Sequence, residues 1–555
     1  MNTRQIVVSL VVAGSLGLAG CAAPAARQPA GVAPREAPQS AESRPAYPTA
    51  APQSPRSPGP IAVAPAEGAA SEAPADRAGS RVAPEPTSVA EGERERYRPT
   101  PTPPTDNYFQ DYGVNPWVDT TRDHLSTFAL DVDTASYVMA RQYVYDGYLP
   151  PYQSVRAEEF INYFDQGYPR PRNVAFGVYA DGAPSPFHRD SSYLVRIGIQ
   201  GYDVPDSERK PASLTFVIDV SGSMANGGRL EMVKDALSML VERLRADDSV
   251  SIVAFTSNAR VVLHPTSGRN KRAILDAIYS LYPQSSTNAD AGLRLGYDMA
   301  MEMYRPGNIN RVIMCSDGVA NTGTTNPDAL VEFVRDYSDR IMLTTVGVGM
   351  GNYNDILLEQ LANKGNGFYA YVDTPEEARK LFLERLTGTL QTIARDAKVQ
   401  VDFNPDVVAR YRLIGYENRA IADQDFRNDT VDAGEIGAGH TATAIYAIEL
   451  RPNAEGRAGT VQLRWEDPDT RRVSEINGNF NTWDLASRFE DAAPRYQLAA
   501  TVAQYAEILR QSPWADETSL RELSRYANDV ARLLAEDPDV REFADLVARA
   551  SRLAR

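Results

Sequence analysis

Short apolar runs alternate with amphipathic segments through the middle of the chain. Leu214–Val220, Val250–Phe255, Val261–His264, Val312–Cys315, Met342–Val348 and Phe368–Val372 are rich in β-branched and aromatic residues and read as strands. Leu230–Leu244, Lys271–Leu281, Ala289–Tyr304, Pro327–Tyr337 and Tyr353–Asn363 lie between them and read as helices. Alternation of this kind predicts a doubly wound α/β sheet over residues 211–390. A last helix is predicted from Thr374 as N-cap, with Pro375 at its first position and Glu377 closing a capping box. Its apolar stripe is Ala378, Phe382 and Leu386, spaced four apart.

The flanks follow other periods. Ser126–Val132 alternates as a strand, Asp133 is placed to N-cap a helix through Tyr145, and a second helix is expected over Val155–Phe164. Strands are expected near Val174–Ala180 and Tyr193–Gln200, and again at Val399–Phe403, Tyr411–Tyr416, Ala442–Leu450 and Thr460–Arg464. The later four alternate apolar and polar residues, as half-exposed antiparallel strands do. Strands on both sides of the α/β segment predict one β-sandwich into which that segment is inserted. Three narrow helical stripes close the chain: Leu498, Val502, Tyr505 and Leu509; then Leu520, Leu523, Ala527 and Val530; then Val540, Phe543 and Val547. They read as core against the sandwich.

Composition changes the picture at the N-terminus. Arg4 precedes an apolar segment, Ile6 to Leu18, that is too short to span a bilayer comfortably and reads as a secretory signal. Its end, Leu18-Ala19-Gly20-Cys21, is similar to the bacterial lipobox, which implies lipidation of Cys21. Ala22 in the next position implies sorting to the outer membrane of a Gram-negative cell. Residues 22–105 hold nearly half of the 38 prolines and lack apolar periodicity, so they read as a tether. Such a tether has an r.m.s. span of roughly 50 Å when flexible. Cys315, the other cysteine, reads as a small buried apolar residue. The net charge of −16 argues against binding nucleic acid through its phosphates.

The candidate chemistry sits at the end of the first strand of the α/β segment. Asp219, Ser221 and Ser223 place three oxygen side chains at alternate positions around Gly222, a set suited to a hard divalent cation. Thr287 stands in a polar loop before a helix, and Asp317 follows a strand and precedes Gly318. D-x-S-x-S, then a loop Thr, then Asp-Gly after a strand resembles the metal-ion-dependent adhesion site of von Willebrand factor type A (VWA) domains. The stretch N-P-W-V-D-T near residue 115 and L-S-T-F-A-L-D-V-D-T-A-S-Y resembles bacterial VWA lipoproteins of the YfbK type. The resemblance implies hydroxyl ligands from Ser221, Ser223 and Thr287, with Asp219 and Asp317 acting mainly through water. It also implies Mg2+, with Mn2+ or Ca2+ as substitutes, and a last helix that moves when the ion gains a ligand.

The division expected is therefore 1–21 lipoprotein signal, 22–105 tether, 106–170 N-terminal α+β region, 171–210 first sandwich strands, 211–390 VWA domain, 395–482 second sandwich strands and 483–555 helical region. Neutral ligands leave much of the ion's charge uncompensated, so the ion accepts a carboxylate from outside. The function expected is a lipid-anchored module that captures an acidic residue of a protein partner. A scaffold with a structural ion is the alternative, and a Mg-dependent hydrolase a weaker one. None of the four histidines has metal-ligand spacing, no G-x-S-x-G elbow occurs, and no catalytic residue is assigned. Asp131-Val132-Asp133-Thr134 mimics a phosphatase nucleophile motif, but Ala135 breaks it and both aspartates read as strand-end and capping groups.

Overall fold

The computed structural model describes residues 107, 109–172, 174–284, 287–318, 327–349, 354–384, 388 and 390–554. The leader with Cys21, the tether, Ser285, Ser286, Tyr353 and Leu386 lie outside the described residues.

In chain order the first elements are β1 (Val118–Asp119), β2 (Leu125–Ala129), α1 (Ala135–Tyr145), α2 (Ala157–Tyr163), β3 (Phe176–Pro184) and β4 (Tyr193–Gly201). The α/β segment follows with β5 (Ala212–Asp219), α3 (Arg229–Arg243), β6 (Ser249–Phe255), β7 (Ala259–Ser267), α4 (Lys271–Tyr279) and α5 (Ala289–Met303). It continues through β8 (Ile309–Ser316), α6 (Pro327–Arg335), β9 (Met342–Val348), α7 (Asp355–Lys364), β10 (Tyr369–Val372) and α8 (Pro375–Arg379). Then come β11 (Thr392–Phe403), β12 (Val408–Ile414), β13 (Gly434–Gly437), β14 (Thr441–Leu450), β15 (Arg457–Glu466) and β16 (Val473–Asn481). Three helices end the chain: α9 (Pro494–Leu509), α10 (Leu520–Leu533) and α11 (Pro538–Leu553).

β5 occupies the middle of a six-stranded sheet ordered β10-β9-β8-β5-β6-β7. Every pairing in it is parallel except that of β6 with β7. All of β5 is buried, because helices cover both faces. Leu214, Phe216 and Ile218 pack with residues of α3 and α4, while Val217 packs on the other side with α5, α6 and α7. Gly292 and Gly296 let α5 approach closely: a Cβ on Gly296 would stand 2.3 Å from Val217, and one on Gly292 2.6 Å from Phe255.

The flanking strands join in two antiparallel sheets. One is ordered β1-β12-β14-β4-β3; in the other, β11 lies beside β15, which carries β16, and pairs with β13 and β2. β4 pairs with β14 and β2 with β11, so strands before and after the α/β segment are neighbours. The expected fold class holds. Apolar residues of the two sheets share one core, with Phe176, Ile197 and Ile199 coming from the first and Val401 and Leu463 from the second.

Four expectations are corrected. β14 is buried on both faces rather than half-exposed, because α2 and α9 pack on the face turned away from the second sheet. α9 is buried almost all round, lying between that sheet and the other helices, so its stripe is not narrow. Asp133 does not cap α1: Thr134 holds the N-cap position without a side-chain bond, and Asp133 accepts a hydrogen bond from Tyr369 N at 2.9 Å instead. Glu377 does not close a capping box. Thr374 accepts from Glu377 N as expected, but the Glu377 carboxylate binds Arg141 and Tyr163. After Arg379 the last helix widens into a π turn over Lys380–Glu384. β1, β13 and β16 had no clear signature in the sequence.

Candidate functional site

Parallel sheets present the C-terminal ends of their strands to ligands where the connections diverge to opposite sides. β5 and β8 are adjacent, with Ile218 opposite Cys315, so Asp219 and Asp317 emerge side by side. Asp219 is fully buried. Its Oδ1 accepts from Ser221 N at 2.8 Å and its Oδ2 from the Ser316 hydroxyl at 2.7 Å. Burial, and then the Asp317 carboxylate, push the Asp219 acid up to about 6. Two acids in a dry cleft favour a cation between or beside them.

Ser221 and Ser223 lie on the turn beyond Asp219, with their hydroxyl oxygens 3.0 Å apart. Ser221 makes no side-chain cap to the helical turn Gly222–Gly228, so capping does not account for its hydroxyl. Ser221 is buried and Ser223 half-buried beside the exposed Gly222, which opens the site on that side. Thr287 is buried at the start of α5. Its loop is fastened at both ends: Gln284 N donates to Val220 O at 2.7 Å, and Asn288 N to Thr256 O at 2.6 Å. Asn288 caps α5 by accepting from Ala291 N. Asp317 accepts from Arg229 Nη1 at 2.8 Å.

The structure thus brings Asp219, Ser221, Ser223 and Asp317 to one strand edge and ties the Thr287 loop to the same edge. Cys21 lies outside the described residues. Two participants escaped the sequence reading. Ser316 orients Asp219, and only its position next to Asp317 hinted at this. Arg229 follows Gly227-Gly228 as an ordinary first residue of a helix, with no local sign that it reaches Asp317.

The donor chemistry fits a hard divalent ion: two carboxylates and three hydroxyls, without soft ligands. Among the described residues no group of three or more His, Cys, Asp and Glu is placed to hold a metal, so an ion here depends on the hydroxyls. Asp131 and Asp133 form no competing acidic centre, since both pair with Arg419, at 3.0 and 3.3 Å.

Residues 213–384 match the von Willebrand factor type A domain, residues 103–196 a von Willebrand factor family, and residues 388–553 the family described as "Uncharacterized protein YfbK, C-terminal". The chain is 32% identical over 458 residues to "Uncharacterized protein YfbK" of Escherichia coli (strain K12), covering 78% of each. It is 27% identical over 304 residues to "Uncharacterized protein sll0103" of Synechocystis sp. (strain ATCC 27184 / PCC 6803 / Kazusa), covering 53% of this chain and 70% of that one. Among solved structures, a von Willebrand factor type A protein from Catenulispora acidiphila aligns over 66% of this chain and 89% of that one, at 16% identity and a TM-score of 0.40.

Proposed function

The chain belongs to the YfbK family of VWA proteins, and from that premise we propose that it is a metal-dependent protein-binding module of the cell envelope. VWA domains commonly mediate protein–protein contacts, often through a divalent ion. Here Ser221, Ser223 and Thr287 would hold that ion directly, with Asp219 and Asp317 acting through water. Mg2+ fits this donor set, and Mn2+ or Ca2+ the same oxygen chemistry. When bound, the ion supplies a strong positive centre for an outside carboxylate.

The observation that carries this reading is the state of Asp219. Both of its oxygens are engaged inside the fold, by Ser221 N and Ser316, so the half-buried Ser223, with its hydroxyl 3.0 Å from that of the buried Ser221, stands towards the open side. A site with neutral groups outermost does not quench a dication, and an acidic side chain of a partner completes it. The chain's own role is to hold these hydroxyls in place and to exclude water beneath them.

The test is calorimetry on the full chain with Mg2+ and Mn2+, followed by titration of an Asp-containing peptide with and without chelator. Asp219→Ala is expected to abolish both the metal heat and the peptide response while leaving the fold intact. Metal binding without any metal-dependent peptide response would support a structural ion instead. Absence of metal heat would sink the proposal.

Envelope placement forms part of the same proposal and rests on the lipobox-like Leu18-Ala19-Gly20-Cys21. Metabolic labelling with a palmitate analogue should mark the wild-type chain and not Cys21→Ser.

A further inference from the structure

Two exposed tyrosines stand on the segment that leads into the candidate metal site. Tyr279 and Tyr282 are 56% and 60% exposed, and no other large apolar side chain described between Ala212 and Glu384 is exposed to that degree. Their neighbours Ile278 and Leu281 are fully buried in the core that also holds Leu214, Phe216 and Ile218. The segment is therefore anchored through its apolar pair, which leaves both rings in water.

That segment is joined to the D-x-S-x-S turn. Gln284, two residues beyond Tyr282, donates through its N–H to Val220 O at 2.7 Å. Its carbonyl oxygen lies 3.4 Å from where a Cβ on Gly222 would be. Gly222 is exposed, so the chain carrying the tyrosines abuts the open side of the site. The chain that follows α4 thus reaches the open side of the site at Gln284.

We propose that Tyr279 and Tyr282 are partner-binding residues, and that the partner segment carries an apolar side chain beside its acidic one. The proposal rests on the metal-dependent capture described above. A charge contact made in open water is weakened by screening, and it strengthens when apolar groups exclude water around it. Tyrosines suit that role because each ring offers a large apolar area with a polar tip. Burying one Leu against such rings should give roughly tenfold in affinity.

The test uses two terminally blocked peptides, Gly-Leu-Asp-Leu-Gly and Gly-Ser-Asp-Ser-Gly, titrated into the full chain at saturating Mg2+. The Leu-flanked peptide should bind wild type about tenfold more tightly than the Ser-flanked one. In Tyr279→Ser/Tyr282→Ser that advantage should vanish, while calorimetry shows unchanged Mg2+ affinity. Equal binding of the two peptides to wild type, or a preference that survives in the double variant, overturns the assignment of the tyrosines. If neither peptide responds to Mg2+, the capture reading falls with it; if both respond equally, only the tyrosine assignment falls.

Discussion

Arg229 Nη1 lies 2.8 Å from Asp317 Oδ2, so a guanidinium from the first turn of α3 faces an acid at the end of β8. Its path crosses Gly349, where a Cβ would stand 1.9 Å from Arg229 Nε and where φ is +78°. A side chain at residue 349 would be strained and would push the guanidinium aside. The pair sets one cation beside the very acid that an incoming dication would use.

Arg229→Gln is expected to raise Mg2+ affinity by about tenfold, since it removes a positive charge near the ion, worth roughly 1–2 kcal/mol under water-like screening. Calorimetry measures this directly. A weaker affinity in the variant would show that Arg229 aligns Asp317 instead of opposing the ion.

Arg141 ties the α/β segment to its flanks. From α1 it reaches Asp373 at 2.5 and 2.9 Å, Glu377 at 3.0 Å, Tyr163 at 2.8 Å and Glu542 at 3.2 Å. Lys380 adds bonds to Tyr163 at 2.9 Å and Asp539 at 2.5 Å. Asp373 and Glu377 lie at the start of α8, so α1 and α11 together hold that helix. Arg141→Ala leaves two buried carboxylates uncompensated and should cost about 3–5 kcal/mol, read as a lower urea midpoint.

Glu158 supplies a pH dependence. Burial, and then the carboxylates of Glu417 and Asp131, push it up to about 7 from an ordinary value of 4.5. Between those values the folded chain holds a proton that the unfolded chain has released. The unfolded state then binds fewer protons, so this group makes stability fall as pH rises from 4.5 to about 7. Glu158→Gln should flatten that slope and stabilise the fold at pH 8 by on the order of 2 kcal/mol. Urea unfolding at several pH values checks the sign.

Gly296→Ala should force α5 away from β5, because its Cβ would meet Val217 at 2.3 Å. The expected cost is about 1–3 kcal/mol in the urea midpoint. α5 begins directly after Thr287 and its cap Asn288, so the same variant should bind Mg2+ more weakly. Unchanged metal affinity in a destabilised variant would separate the helix position from the site.

Much of the α/β core was legible because its signals are local. Met342–Val348 is a strand with the bounds its apolar run suggested, and Lys271 and Ala289 begin helices as expected. Asp219, Ser221 and Ser223 share one turn, and Asp317 follows a recognisable strand, so their grouping could be expected from spacing. β13 and β16 were missed for the opposite reason: Gly434–Gly437 and Val473–Asn481 are poor in apolar residues and owe their conformation to pairing with β11 and β15.

Periodicity and motif were enough to establish the doubly wound core and the existence of flanking strands and to single out the candidate ligand set, since each depends on residues a few positions apart. The fold alone chose partners across long separations: Asp133 for Tyr369 rather than for a helix cap, Glu377 for Arg141 rather than for its own N-terminus, and Arg229 for Asp317. Each of those side chains had a plausible local use. Once packing removed water, a buried charge or open donor was satisfied by whichever opposite group the topology set beside it, and no window of sequence contains that information.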